Sequence, residues 1–211
     1  MSSHAPHFRP TIGIAGGIGS GKSTVARILS RLGCEVCISD DAARAVLAAP
    51  EVRSAIIARA GSPVAAPDGT IDRAALGRAI FADAALRADI ERIMHPRIEA
   101  RRRAQFAAAP VSTRAFIIDA PLLFEVGLER ECDAVIFVDS PRPLRLARVQ
   151  ATRGWDDAEL ARREASQLPL DEKRRRSTDV VENSEEHAAL EAAVRRALEA
   201  IVARGPRTAP T

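Results

Sequence analysis

The sequence predicts an α/β protein in which a five-stranded parallel sheet lies between helices, a three-layer α/β/α arrangement. Short apolar runs alternate with helical stretches along most of the chain, which is the pattern of a parallel sheet with crossover helices. The run Ala115–Asp119 is almost continuously apolar, as expected of a parallel strand buried on both faces. The alternation and this buried strand together set the predicted fold class.

Each predicted element follows from its own residue pattern. The first helix, Lys22–Leu32, carries apolar residues at helical spacing and ends at Gly33. The last helix, Glu185–Ala203, is amphipathic, with its large aliphatic residues on one side. The five predicted strands are Thr11–Ala15, Glu35–Ile38, Ala115–Asp119, Asp133–Asp139 and Asp179–Asn183.

Two long segments interrupt the alternation of strands and helices. We expect a single domain over 11–204, with an insert at about 51–112 and a second, arginine-rich one at about 143–176. The first is too long for one crossover and predicts a helical subdomain, whereas the second predicts a lid. Residues 1–10 and 205–211 predict flexible tails. The remaining core comprises 11–50, 113–142 and 177–204.

Composition argues against several classes of function. The 211 residues hold 31 basic and 28 acidic side chains, a net charge of +3 that implies no large basic surface. Aromatic residues are only 3% and tyrosine is absent, so stacking on nucleic-acid bases has little to use. No apolar run approaches the ~18 residues of a membrane span, and the polar start is no signal peptide. We therefore expect a cytoplasmic protein with neither a nucleic-acid nor a membrane partner.

Cysteine usage also indicates a reducing compartment. Three cysteines are an odd number and too few to staple a chain of this size. Cys34 and Cys37 have the CxxC spacing of zinc and redox sites, but no second Cys/His pair stands nearby to complete a metal site. They also fall in a strand-like stretch, whereas a redox pair would be expected to open a helix. We interpret them as structural.

The most specific motif lies between the first strand and the first helix. Residues Gly16–Ser23 fit GxxxxGK[ST] without a mismatch and in the required strand–loop–helix context. Glycines let successive N–H groups point at phosphate oxygens, and the helix N-terminus adds a favourable dipole. Lys22 would neutralise the outer phosphates and the Ser23 hydroxyl would bind Mg²⁺. The sequence thus predicts a nucleoside triphosphate site comprising Gly17, Ile18, Gly19, Ser20, Gly21, Lys22, Ser23 and Thr24.

The remaining motifs favour one branch of the P-loop NTPases. Neither lysine of the chain, Lys22 or Lys173, stands in the [NT]KxD motif of a GTPase. Asp119, at the end of the third strand, is either a carboxylate near Mg²⁺ or a strand-end cap. A docking insert and an arginine-rich lid fit a small-molecule kinase of the nucleoside-monophosphate-kinase-like fold, which must hold an acceptor and exclude water.

Such a kinase also needs a group that orients the attacking hydroxyl and accepts its proton. We expect this group at the end of the second strand, which we predict to lie beside the loop of the first. Asp40 and Asp41 stand there. Either could serve, and the alternative is that they cap the following helix.

Further motifs follow one another along the chain. They are GGIGSGKST at 16–24, the Asp40 region with Ala43 and Arg44, Asp68–Arg73, His95-Pro96, Pro121–Glu125, Arg148, Gln167, Lys173-Arg174 and Val180–Ser184. The loop is shared by many NTPases, whereas PLLFE and the His-Pro pair in this order are more specific. In this order the motifs resemble the dephospho-CoA kinase family over about residues 11–200.

The resemblance implies ATP-dependent phosphorylation of the ribose 3′-hydroxyl of dephospho-CoA, with ATP and dephospho-CoA as small-molecule substrates and Mg²⁺ as cofactor. It implies Asp40 as general base and Arg148 as a lid arginine on the phosphates, which with Lys22 form the catalytic set. A monomer or weak homo-oligomer is expected. The implied acceptor-binding residues are Asp40, Arg44, His95, Pro121, Leu122, Glu125, Lys173 and Arg174.

The chain departs from the family pattern in places. Ile38 replaces the first Asp of the strand-two motif, Ala15 replaces a Thr before the glycines, and Thr152 stands where a second lid arginine is expected, with Arg153 one place later. Thr178 replaces a common Asp.

Other roles are open for several matched residues. His95-Pro96 could be a helix kink and Leu122 could be core. Glu125 could be a solvated helix residue and Arg148 a surface arginine. Another small-molecule kinase, or a nucleotide-dependent switch without catalysis, remains the alternative function.

Overall fold

The computed structural model of the protein describes residues 8–184 and 187–205. Most of both predicted tails therefore lies outside the described residues, as does Glu185, the predicted start of the last helix. The described residues form two units. One comprises the sheet with its helices, and the other spans 38–108.

In the part of the chain that the structure describes, the sheet unit contains five strands, and the β1–β3, β1–β4 and β4–β5 pairings are parallel. The strand order is β2-β3-β1-β4-β5. The predicted α/β class is confirmed, but β2 does not neighbour β1, because β3 pairs between them. We expected the second strand to lie beside the loop of the first. This expectation is wrong, because β3 lies between the two strands. The strands are β1 Thr11–Gly16, β2 Glu35–Ile38, β3 Phe116–Asp119, β4 Ala134–Asp139 and β5 Asp179–Glu182.

Among the described residues an α-helix follows β1, β2, β4 and β5, whereas a turn and a short 3₁₀ helix follow β3. The helix bounds lie close to the predicted ones where a helix was predicted. The first ends at Arg31, where Leu32 and Gly33 close the last turn through backbone hydrogen bonds. The helices of the described residues are α1 Lys22–Arg31, α2 Ser39–Ala48, α3 Pro50–Ala60, α4 Arg73–Ala82, α5 Ala84–Ala107, α6 Arg142–Arg153, α7 Asp157–Glu164, α8 Leu170–Arg176 and α9 His187–Arg204. None of them is long and apolar enough to cross a membrane.

The core of the sheet unit lies between one face of the sheet and the helices α1 and α9. Alternate residues of β1, such as Ile12 and Ile14, point to this face, where they meet the apolar sides of both helices. Gly13 points to the opposite face, and a Cβ there would lie 2.7 Å from Leu123. Helix α8 packs against β1 and β4. The helix residues in the cluster are Val25, Ala26, Ile28, Leu29, Leu190, Val194, Leu198 and Ile201.

The helical unit has its own core, formed by α2, α3, α4 and α5. Val46 of α2 packs with Ile56 of α3 and Ile90 of α5. For this reason the unit begins at Ile38 and includes α2, whereas the sequence suggested an insert from about 51. Asp72 and Asp83 cap the N-termini of α4 and α5, each accepting two backbone N–H bonds at 2.8–3.0 Å.

Truncation of Leu198 should show how strongly the α9 interface supports the sheet unit. Its side chain is fully buried, so Leu198→Ala should lower the free energy of unfolding by about 2–5 kcal/mol through lost burial and a new cavity. Urea denaturation followed by circular dichroism measures this. Leu144→Ala, which removes the same atoms from an exposed position, serves as the control. An equal loss in the two variants would contradict the assignment of this core.

Candidate active site

The loop between β1 and α1 turns sharply where its glycines stand. Gly19 has φ +75°, and a Cβ there would lie 2.6 Å from the carbonyl oxygen of Arg145. Gly21 is the N-cap of α1 with φ +96°, and no acidic residue stands in the first helical turn. Both positions therefore need glycine. The first N–H groups of α1 have no intrahelical partners and meet no competing carboxylate of that turn, which suits an anionic ligand.

Lys22 folds back over this loop. Its ammonium donates hydrogen bonds to the carbonyl oxygens of Gly16 and Gly17, both at 2.9 Å. Burial lowers the pKa of Lys22 to about 8. The Asp119 carboxylate opposes this, whereas Lys173, Arg153 and Arg145 add to it. The Lys22 ammonium is thus held at the loop, where a negatively charged ligand would stabilise it.

Arg148 lies against the carbonyl oxygens of the same loop. Its Nη1 donates to the Gly19 and Ser20 oxygens, both at 3.3 Å, and to Ser140 Oγ at 3.0 Å. Its Nη2 donates to the Asn183 carbonyl oxygen at 3.2 Å. The side chain that the sequence assigned to a lid is therefore bound to the loop from the α6 side, and it is not a loose surface arginine.

Ser23 and Asp119 supply oxygen atoms at the carboxyl edge of the sheet unit. Ser23 is exposed in the first turn of α1. Asp119 is the last residue of β3 and its charge raises the pKa of Lys22. Thr24, by contrast, accepts a hydrogen bond from Arg27 at 3.2 Å. A hydroxyl and a carboxylate are ligands that suit Mg²⁺, so these two residues fit such an ion.

Glu125 and Lys173 form an ion pair with an N–O distance of 2.8 Å. Lys173 is 2% exposed and also donates to Gln167 Oε1 at 2.9 Å, while Glu125 accepts from the Leu168 N–H at 3.0 Å. Burial tends to raise the pKa of Glu125, but the hydrogen bonds from Lys173 and Leu168 and the Lys173 charge hold it below its ordinary value. The carboxylate therefore stays ionised and ties the 121–127 turn to α8.

The other predicted residues near this pair differ in exposure. Leu122 is exposed, while Leu123 and Phe124 are buried core residues. Pro121 is exposed beside them. Arg174 forms an ion pair with Asp139 at the end of β4. Glu125 is thus not the solvated helix residue of the alternative reading, because it lies in a turn and is ion-paired.

The helical unit contains a cleft of about 240 Å³. Asp40, Arg44 and Arg73 supply its charged wall. A second cleft of about 160 Å³ shares Arg44 and Arg73 and adds Arg53. The apolar lining of the first cleft is Ala43, Leu47, Leu76, Ile90 and Met94. These clefts offer a surface with both apolar and cationic parts.

The two candidate bases, Asp40 and Asp41, differ in their surroundings. Asp41 forms an ion pair with Arg44, whereas Asp40 lines the cleft and forms no ion pair within residues 8–184 and 187–205. His95 is exposed on α5 beside the lining residue Met94, and Pro96 lies within that helix. The predicted site residues therefore fall into two groups. One surrounds the loop in the sheet unit, and the other surrounds the cleft in the helical unit.

Three residues near these sites were given no role from the sequence. Arg145 is 4% exposed and donates to the Ile18 carbonyl oxygen at 3.2 Å. Asn183 donates to the Ser20 oxygen at 2.7 Å. Arg73 lines both clefts. Arg73 and Asn183 stand within matched motifs, which was the available signal, whereas nothing distinguished Arg145 from the other arginines of its segment.

The cysteines do not form part of either group. Cys34, Cys37 and Cys132 are buried thiols. Burial raises the pKa of the Cys34 thiol to about 11, which makes it a poor nucleophile. Within the residues that the structure describes, no group of three potential metal-binding side chains includes them.

Comparison with known proteins identifies relatives over nearly the whole chain. The family model for dephospho-CoA kinase matches residues 10–189. The dephospho-CoA kinase of Deinococcus radiodurans is 43% identical over 188 residues, which cover 89% of this chain and 90% of the relative. That of Anaeromyxobacter dehalogenans is 44% identical over 176 residues, 82% and 83% of the two chains.

Solved structures agree. TT1252 from Thermus thermophilus has a TM-score of 0.80 at 32% identity, covering 93% of this chain and 98% of that one. Shikimate kinase from Acinetobacter baumannii, at 17% identity and a TM-score of 0.52, covers 96% and 98% and shares the fold. The family match and the curated relatives confirm the resemblance that the motifs carried: the chain belongs to the dephospho-CoA kinase family.

Proposed function

We propose that the protein transfers the γ-phosphoryl group of ATP to the ribose 3′-hydroxyl of dephospho-CoA, giving coenzyme A and ADP, the last step of coenzyme A synthesis. The observation that carries this proposal is the phosphate-binding loop with Lys22 buried over it, in a chain of this family. The mixed cationic and apolar cleft in the helical unit supports an acceptor with a charged and an apolar part. We expect the enzyme to act in the cytoplasm as a monomer or weak homo-oligomer.

On the nucleotide side, backbone N–H groups of residues 17–24 hold the phosphates, and the N-terminus of α1 adds its dipole. Lys22 exchanges its two carbonyl partners for phosphate oxygens. Ser23, with Asp119 nearby, would hold Mg²⁺, which neutralises charge on the phosphate oxygens when bound. Arg148 keeps its predicted role beside the phosphates.

On the acceptor side, Asp40 accepts the proton of the 3′-hydroxyl as its oxygen attacks the γ-phosphorus and the bond to ADP breaks. Arg44, Arg53 and Arg73 supply positive charge along the clefts for the diphosphate of dephospho-CoA. His95, Pro121, Leu122, Glu125, Lys173 and Arg174 stay predicted acceptor residues. Little covalent work falls to the protein, so orientation and charge stabilisation supply the rate.

An assay of acceptor-dependent ADP release tests this function. Dephospho-CoA should drive stoichiometric ADP release, whereas nucleosides, nucleoside monophosphates, shikimate and gluconate should not. Lys22→Ala should reduce turnover by about 100-fold or more through the lost phosphate charge pairing. A preference for another acceptor would overturn the substrate assignment, and a Lys22→Ala variant with normal turnover would overturn the assignment of the loop.

The pKa of Lys22 predicts how nucleotide affinity depends on pH. Free Lys22 loses its proton as pH rises through about 8, while a bound phosphate favours the ammonium, so binding above that pH takes up a proton. The Kd for ADP should therefore rise by up to about tenfold per pH unit above pH 8. Calorimetric titration from pH 7 to 10 measures this. Lys22→Arg, which stays charged, should give a flat profile, and a flat wild-type profile would contradict the assignment.

Substitution of the two candidate bases separates their roles. Asp40→Asn should lower kcat by at least about 100-fold because the hydroxyl proton loses its acceptor, with Kd for ADP unchanged. Asp41→Asn removes only the ion pair with Arg44 and should keep kcat within about threefold, since exposed ion pairs contribute little. Steady-state kinetics with calorimetry of ADP measures both. The reverse ranking would assign the base to Asp41.

A further inference from the structure

We propose that Arg145 is a positioning residue that sets the backbone of the phosphate-binding loop for a nucleoside triphosphate. It lies on α6, is 4% exposed, and its side chain faces the loop: a Cβ at Gly17 would lie 2.9 Å from Arg145 Nη1. No catalytic or binding role follows for this residue from the motifs. The proposal rests on the proposed function only in taking the loop as the phosphate site.

Three consecutive carbonyl oxygens of the loop accept hydrogen bonds from side chains. Arg145 Nη1 donates to the Ile18 oxygen at 3.2 Å and Arg148 Nη1 to the Gly19 oxygen at 3.3 Å. Asn183 Nδ2 donates to the Ser20 oxygen at 2.7 Å. These donors come from α6 and from the residue that follows β5. Each of these three carbonyl groups is thus held by a side-chain donor.

A bound carbonyl fixes the direction of the next N–H group. The peptide is planar and trans, so its N–H points away from its C=O. The Ile18 oxygen therefore orients the N–H of Gly19, and the Ser20 oxygen orients the N–H of Gly21. Because donors hold these oxygens on one side, both N–H groups face the other side, where phosphate oxygens would be bound. Arg145 is the donor recorded on the Ile18 carbonyl.

Arg145 is itself fixed by two groups outside the loop. Its Nε donates to the Ser140 carbonyl oxygen at 3.2 Å, and its guanidinium forms an ion pair with Glu164 at the end of α7. The Glu164 side chain is largely buried, so the pair is held in place and partly desolvated. A planar guanidinium can serve these partners simultaneously, which a lysine ammonium at this position cannot do with the same geometry.

The chain contains a matched control on the same helix. Arg142, one turn before Arg145, forms an ion pair with Asp157 of α7. This pair joins the same two helices but is exposed, and Arg142 has no recorded bond to the loop in the part of the chain described here. Arg142→Met therefore shows what the loss of an α6–α7 ion pair does without the loss of a bond to the loop, and a purely structural role of Arg145 should affect both substrates alike.

Arg145→Met, Arg145→Lys and Arg142→Met test the proposal in the full-length protein. Arg145→Met should raise the calorimetric Kd for ADP and the KM for ATP by about tenfold, equivalent to about 1.4 kcal/mol. The KM for dephospho-CoA should not change. Arg145→Lys, which keeps a charge opposite Glu164, should recover part of the loss, and Arg142→Met should match the wild type within about twofold.

Three outcomes would overturn the proposal: unchanged nucleotide affinity in Arg145→Met, an equal loss in Arg142→Met, or KM values for both substrates rising together. If Arg145→Met does not fold, Arg145→Lys decides, since wild-type Kd for ADP in that folded variant overturns the proposal and a raised Kd supports it. ADP binding requires no acceptor. A protein that binds ADP in an Arg145-dependent way but leaves dephospho-CoA unphosphorylated would therefore overturn the proposed function alone.

Discussion

The structure depends on keeping an ammonium group buried over a loop of peptide carbonyls at the end of a central strand. Lys22 reaches two of these oxygens, and burial lowers its pKa to about 8. Such a cation is stable only where the backbone turns its carbonyls toward it. The turn requires glycine at positions of positive φ, and the strand before the loop must be held on both sides by parallel neighbours. The position of Lys22 therefore depends both on the loop glycines and on the pairing of β1 in the sheet.

Local sequence patterns were sufficient to predict most strands and helices of the sheet unit. The strands β1, β3 and β4 are short buried runs, and α1 and α9 repeat apolar residues at helical spacing, so the bounds of these elements followed closely from the sequence. Strand order did not. The placement of β3 between β2 and β1 depends on pairing between residues far apart in the chain, such as Ile12 with Ile117. The sequence placed the start of the helical insert at about 51, and the packing of Val46 that joins α2 to the helical unit likewise depends on residues far apart in the chain.

The candidate site likewise contains parts that the sequence predicted and parts that it did not. The loop could be predicted because the residue types that bind phosphate occur at fixed spacing within eight consecutive residues, Gly16–Ser23. The Glu125–Lys173 pair joins two motifs that were identified separately, but their contact depends on how the 121–127 turn meets α8. Arg145 gave no signal in a segment rich in arginine. Arg142 and Arg145 lie three residues apart on α6, and both form ion pairs with α7. Arg145 is buried and Arg142 is exposed, which the sequence alone does not reveal.

The charges near the loop also explain why a polyanion is the natural partner of this unit. Burial is the largest cause that lowers the pKa of Lys22; the Asp119 carboxylate opposes it, and the charges of Lys173, Arg153 and Arg145 add to it. Glu125 and Glu164 hold two of these cations in ion pairs, which keeps their charge in place. Within the described residues, the hydrogen-bond acceptors of the Lys22 ammonium are the carbonyl oxygens of Gly16 and Gly17. A triphosphate would supply the missing negative charge at that point. Negative charge there offsets the burial and the repulsion that lower the pKa of Lys22 in the free protein, which concentrates affinity at the phosphates.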